Sequence, residues 1–514
     1  MKLRELYAQG HSARRAGCSV LSLTREGGDA PGLRVRARSA DVFNFVFRQT
    51  LLLDGEDVTE ARCTCGRAPC EHLAAVAALL LGEAPADAAP APSVQPVPER
   101  ESAPPPPEPE PAPAPPQPEP EPEPAPDPDA PKRSMRIRLG ERAEDGEAVW
   151  WMPNDTEQLF HVNTGIIGTM GTGKTQCTKS IIAQLSRARG DNYDGSPLGL
   201  LVFDYKGDYN ETKPEFVRAV DARVYKPWKL PFNPLALIRG RSFKPLLPVH
   251  TANQFIDTLT RIYRLGAKQQ ATLMQCIMEA YHAAGIREDN EATWGRTAPT
   301  VASVYERFAA LGDRAADSLT AALEKLSKFC IFEPEPAAAR PLAEVLRGVA
   351  VLDLSQYDSD IQSLVVAITL DLLYAQMQAL GSSATDGRYR CLRYLVLVDE
   401  ADEFMSRGFP SLRRILKEGR ECGVGVLLST QSLTHFAASA EDYSRYVLTW
   451  LVHNVSDLKP RDVEYLFKLP PHSAESERVC GAIRSAQKHE SLLKLGGGAP
   501  EKLRDLPFFR LPEE

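Results

Sequence analysis

From about residue 134 onward the chain alternates short, unbroken apolar runs with longer stretches of helical periodicity. The apolar runs fall at residues 162–167, 200–203, 349–354, 394–398, 424–428 and 446–452. Runs this short and continuous suit strands buried on both faces of a parallel sheet, and helices between them act as βαβ crossovers. The pattern predicts an α/β domain. Between Phe232 and Leu346 the strand-like runs vanish, and stretches such as AKQQATLMQCIMEAYHAAG and DSLTAALEKLSKFC predict an all-helical insertion over about 232–346. No internal repeat interrupts this order.

Composition divides the chain further. Of its 42 prolines, 16 fall within residues 103–131, together with seven acids and no Lys or Arg. Proline at nearly every second position favours extended polyproline II, and the acids keep the segment solvated. Residues 84–132 therefore read as a disordered linker, either a plain spacer or a ligand for a proline-binding domain. It separates a small module at 1–83 from a domain at 133–514. Residues 103–131 carry −7 of the formal net charge of −8, so the remainder is nearly neutral and does not argue against nucleic acid, whose binding needs a local basic surface. Ten cysteines without a disulfide rhythm suit a reducing compartment. No apolar run approaches the roughly 20 residues of a membrane helix, and the opening MKLRELYAQG lacks a signal-peptide core. A cytoplasmic protein with no membrane partner is expected.

Chemistry enters at GTMGTGKT, residues 168–175, where Gly168, Thr169, Met170, Gly171, Thr172, Gly173, Lys174 and Thr175 fit G-x-x-x-x-G-K-T. A strand-like HVNTGIIG precedes it, and a helical KTQCTKSIIAQLSRA follows and stops at Gly190. The glycines let backbone N–H groups turn inward around phosphates, and the helix start adds its positive end. Lys174 would neutralise the β and γ oxygens of ATP, Thr175 would ligate Mg2+, and Gln176 completes the nucleotide-binding set. Farther on, RYLVLVDEADEF delivers Asp399 and Glu400 at the C-terminal end of a strand, where α/β sheets place their ligands. Asp399 would hold Mg2+, and Glu400 would orient or deprotonate the attacking water. Residues 399–402 spell DEAD, but nothing after residue 432 supplies the second ATPase domain of a DEAD-box helicase.

Four segments together resemble the HerA/FtsK superfamily of ring-forming DNA motors: the phosphate loop preceded by His161, LLVFDYKGDY at 200–209, the acidic pair, and EGRECGVGVLLSTQ at 418–431. The resemblance covers about residues 134–514. It implies a RecA-like P-loop core, ATP hydrolysis, double-stranded DNA as partner and a homo-hexamer. It implies that Gln431 senses the γ-phosphate and that Arg420 is an arginine finger reaching a neighbouring subunit's ATP; a surface arginine on its helix is the plainer reading. Asp204 and Lys206 either support the site or form a structural ion pair. LVHNVSDLKPRDVEYLF and AIRSAQKHESLLKLG are similar to the HerA-type ATPase of phosphorothioation-dependent DNA restriction, DptH. That likeness implies a role in restriction or antiphage defence with a separate nuclease partner. Type IV secretion and conjugation ATPases share the same strand and Gln signals, and an ATP-switched scaffold is a further alternative.

Before the linker, ARCTCGRAPCEH places Cys63, Cys65, Cys70 and His72 at C-x-C-x4-C-x-H spacing. Three thiolates and one imidazole make a closed tetrahedral Zn2+ site, a useful staple for a module with a limited core. The spacing resembles the SWIM zinc finger, which implies DNA or protein binding. Residues 1–82 hold eleven Lys/Arg against nine Asp/Glu, too even to choose. Arg34, Arg36 and Arg38 make either a basic stripe or a solvated edge strand.

Overall fold

The computed structural model describes residues 134–511, apart from residues 194, 241–243, 313–315, 402–404, 406–407, 438–441 and 457. Before residue 134 it describes four strands and residues 76, 77 and 80. The chain divides into two compact units, residues 1–116 and 117–514.

In the first unit β1 (Ser19–Glu26), β2 (Leu33–Ala40), β3 (Val46–Asp54) and β4 (Asp57–Cys63) form an antiparallel sheet in that order. β2 pairs with β1 on one side and β3 on the other. The run bearing Arg34, Arg36 and Arg38 is thus an inner strand, which corrects the edge-strand reading. Cys63 ends β4, while Cys65, Cys70 and His72 lie outside the described residues. The proposed linker at 84–132 lies outside them as well.

The second unit is built on an eleven-stranded sheet in the order β6-β5-β15-β14-β13-β7-β12-β11-β8-β10-β9. Its parallel part comprises β7 (Thr164–Ile167), β8 (Gly199–Asp204), β9 (Ala222–Tyr225), β10 (Val349–Asp353), β11 (Tyr394–Val398), β12 (Val424–Thr430) and β13 (Thr449–Val452). Every residue of β7, β8, β10, β12 and β13 is buried, as unbroken apolar runs require of strands covered on both faces. Beyond β13 the sheet turns antiparallel through β14 (Glu490–Leu495), β15 (Glu501–Asp505), β5 (Ile137–Arg142) and β6 (Ala148–Trp151). The expected parallel sheet is therefore present in seven strands and is extended at one side by four antiparallel ones.

One face is covered by α1 (Lys174–Arg187) and α2 (Pro214–Val220), whose Ile181, Ile182, Leu185 and Phe216 pack on Leu200, Val202, Leu395 and Leu397. On the other face lie α3 (Leu247–Tyr263), α4 (Ala267–Ala283), α5 (Val301–Ala310) and α6 (Ser318–Lys328) of the helical insertion. They share a core with α7 (Ser359–Leu380) and α8 (Pro410–Cys422). Helix α7 corrects the expectation that no stretch is apolar and long enough to cross a membrane: its 22 residues pass by length and composition, with 67% of the apolar window buried inside the protein.

The insertion is tied to the core by a buried acid. Asp371 on α7 accepts hydrogen bonds from Thr258 Oγ1 on α3 (2.6 Å) and Ser411 Oγ on α8 (2.5 Å). Burial pushes its pKa up, against the pull of these hydroxyls. Thr258→Val removes one donor and leaves a buried carboxylate oxygen underbonded. It is expected to cost about 1–3 kcal/mol, read from the denaturation midpoint.

Candidate functional site

The phosphate loop links the C-terminal end of β7 to α1. Gly171 (φ 83°) and Gly173 (φ 107°) occupy left-handed backbone that other residues avoid, and so turn the chain around a concavity. The loop is anchored by Gly168 N to Thr430 O (3.1 Å) and Thr169 N to Asn454 O (2.9 Å). Its centre is left open: the N–H groups of Gly171 and Gly173 donate to no described residue. No side chain caps the start of α1 at Gly173. Free amides at an uncapped helix start form an anion seat.

Lys174 extends from the first turn of α1, only 5% exposed, and its Nζ lies 3.4 Å from Glu400 Oε1. Asp399 and Glu400 follow β11 directly, as the strand reading requires. Glu400, itself in left-handed backbone (φ 53°), accepts from Lys206 Nζ at 2.5 Å and from Gln431 Nε2 at 2.8 Å. Burial opposes its charge, but Lys206, Lys174 and Gln431 together hold its pKa below the usual carboxylate range. Gln431 reaches this point because β12 lies between β7 and β11.

Asp204 and Lys206 divide the two roles the sequence left open. The Asp204 carboxylate is fully buried and accepts the backbone N–H groups of Lys206, Gly207, Asp208 and Tyr209, at 2.8–3.2 Å. It shapes the turn after β8. That turn presents Lys206 to Glu400, so Lys206 belongs to the site itself.

Asp399 tests the fit to a magnesium ion. It is 1% exposed, and neither carboxylate oxygen has a hydrogen-bond partner among the described residues. Burial pushes its pKa up to about 6, against the pull of Lys174. A buried carboxylate without donors is costly alone and suited to a cation. Thr175, in the first turn of α1, offers a hydroxyl that bonds to no described residue, so this donor set fits Mg2+. A carboxyl whose folded pKa exceeds its unfolded one destabilises the fold increasingly as pH rises from about 4 to 6, and fully above that. The rise from 3.8 to about 6 corresponds to roughly 3 kcal/mol. Asp399→Asn is expected to raise the melting temperature of the nucleotide-free protein at pH 7 and to leave it nearly unchanged at pH 4.

A buried pair stiffens the loop from beneath. His453, just after β13, contacts Asp505 through Nε2 (2.8 Å), and Ser491 Oγ donates to the other Asp505 oxygen (2.6 Å). The His453 backbone N donates to Ile167 O (2.7 Å). Cys177, His453 and Asp505 stand close enough to share a cation. Hydrogen bonds already engage His453 and Asp505, and the three form no part of the Zn2+ set read from the sequence. Residues 453, 491 and 505 escape sequence inspection because an antiparallel hairpin, with no motif of its own, brings them under the loop.

Arg420 lies elsewhere. It stands in the last turn of α8, before β12, whereas Gln431 follows β12. The seven residues of β12 separate the two by roughly 20 Å. Arg420 therefore sits at the N-terminal end of the central strands, opposite the C-terminal end that carries Glu400. Its guanidinium lies 3.5 Å from the ring centroid of Phe160, which is 61% exposed. Burial and the neighbouring Arg420 charge push His161 down to about 4, so that imidazole is neutral at physiological pH.

A parallel sheet with a phosphate loop after one strand, an acidic pair two strands away and a glutamine between them defines a RecA-like P-loop ATPase fold. Within that class, residues 139–373 match the family model described as Helicase HerA, central domain. The matched segment holds the phosphate loop and the helical insertion and ends before β11. No curated protein sequence matches the chain. Among solved structures, VirB4 of Thermoanaerobacter pseudethanolicus is similar with TM-score 0.54 and 18% identity, over 72% of this chain and 96% of that one. The plasmid coupling protein TrwB in complex with ADP and Mg2+ is similar with TM-score 0.43 and 15% identity, over 73% of this chain and 95% of that one.

Proposed function

We propose that the protein is a Mg-ATP-dependent motor that works as a ring, each site being completed by a neighbouring subunit, and that it moves double-stranded DNA. The observation that carries this reading is the position of Arg420, at the end of the strands remote from its own Lys174 and Glu400. An arginine so placed meets phosphate only if a second copy brings its site there, and a ring of identical subunits satisfies every site at once.

In this reading the loop from Gly168 to Gly173, with Lys174, Thr175 and Gln176, binds the triphosphate. Thr175 and Asp399 hold Mg2+, which supplies positive charge to the phosphate oxygens. Glu400 accepts the proton of the water that attacks the γ-phosphorus, Gln431 feels the γ-phosphate, and Arg420 of the neighbour neutralises charge gathering in the transition state. Lys206 keeps Glu400 paired until the phosphates draw Lys174 away. The hexameric state, the cytoplasmic location, a Zn2+-bound SWIM-type module at 1–83 on a flexible tether, and a role in DNA restriction or antiphage defence with a separate nuclease belong to the same proposal. Extended at about 3.1 Å per residue, such a tether reaches on the order of 100 Å.

The test is ATP turnover with and without double-stranded DNA. Stimulation by DNA is expected, and turnover indifferent to DNA would count against the motor. A second reading, a secretion or conjugation ATPase, draws on the likeness to VirB4. It requires binding to a membrane or membrane partner, which co-sedimentation with anionic vesicles would register.

A further inference from the structure

The two sides of the phosphate loop differ. On the β12 side stand Glu400 and Gln431, where a γ-phosphate would lie. On the β13 side the end of the chain folds back. His489, immediately before β14, donates its backbone N–H to Thr172 O at 2.9 Å and accepts from Asp505 N at 2.9 Å. Its ring lies so close to Gly173 that a Cβ there would come within 2.5 Å of Nδ1. That Nδ1 is buried and has no partner among the described residues.

Past β15 a short helical turn, Phe508–Arg510, carries two adjacent phenylalanines. Phe508 turns inward against Phe216, with ring centroids 5.7 Å apart. Phe509 turns outward and is 62% exposed, yet it stands edge-on to His489 at 5.5 Å. Large exposed aromatics are few here, and this one borders the anion seat. Lys488 and Arg510 add positive charge around His489.

With the γ-phosphate placed at Glu400, the Gly173–His489 side of the loop is the side left for the nucleoside. Resting on the reading of the loop as an ATP site, we propose that Phe509, backed by His489, is the platform on which the nucleobase stacks. An aromatic face holds any base, so the platform sets affinity for nucleotides over bare polyphosphate and discriminates little between adenine and guanine.

Calorimetric titration of the full chain with ATP and with inorganic tripolyphosphate, both with Mg2+, tests this. Phe509→Ala is expected to weaken ATP binding roughly ten-fold and leave tripolyphosphate binding unchanged, while Phe509→Trp binds ATP as the parent does. Unaltered ATP binding by Phe509→Ala would overturn the proposal, as would equal loss of both ligands. Lys174→Ala separates the two levels: it is expected to lose both ligands, and if it binds both normally the phosphate-loop reading fails, whatever Phe509 does.

Discussion

Glu400→Gln is expected to lower ATP turnover by a factor on the order of 10²–10⁴, the range for loss of a positioned general base. ATP binding should survive or tighten. Glu400 sits between Lys174 and Gln431 and adds negative charge where a γ-phosphate must lie. Glutamine keeps the shape and one of the two acceptor oxygens and removes that charge, together with the ability to accept a proton. Steady-state turnover and nucleotide titration on the same preparation check both halves. A variant that turned over ATP like the parent would remove Glu400 from the chemistry and leave it as a partner for Lys206.

The second large effect is expected at a residue that never meets its own site. Arg420→Ala should reduce turnover on the order of 10³-fold or more, the scale of arginine-finger loss in related NTPases. The affinity for ATP of a dispersed subunit should barely change. The sheet dictates this split: β12 holds Gln431 at one end and follows Arg420 at the other. The stack on Phe160 shields the guanidinium, and its Nε is buried without a hydrogen-bond partner among the described residues, so no described ion pair consumes the group.

How far the sequence announces this arrangement depends on the kind of signal. The five residues of β11 coincide with the apolar run at 394–398, because continuous hydrophobicity is what a doubly covered strand displays. The run at 162–167 overshoots β7 by two residues: the Asn163 side chain bonds to Leu416 O, Tyr446 O and Val426 N, joining elements across the strand start. The run at 446–452 begins early because Tyr446 closes a helical turn before β13. β14 and β15 mix polar and apolar residues, ESLLKL and EKLRD, and give no continuous run.

The phosphate loop and acidic pair are legible because their spacing is local. Lys206 was visible only as one of two alternatives. His489 and Phe509 were invisible as site neighbours, since hairpin topology rather than spacing carries them to Gly173. The zinc-ligand reading concerns residues 65, 70 and 72, outside the described part of the chain.

The central claim, that one subunit completes the site of another, is tested most directly by mixing two inactive variants. Lys174→Ala cannot hold phosphate but keeps Arg420, and Arg420→Ala keeps the phosphate loop but offers no finger. Each alone should be inactive. Mixed under conditions that let subunits exchange, they should recover a measurable fraction of parental ATP turnover, because some junctions pair an intact loop with an intact arginine. If the mixture stays as inactive as its components while subunit exchange is demonstrated, or if Arg420→Ala alone turns over ATP like the parent, the shared-site account is contradicted.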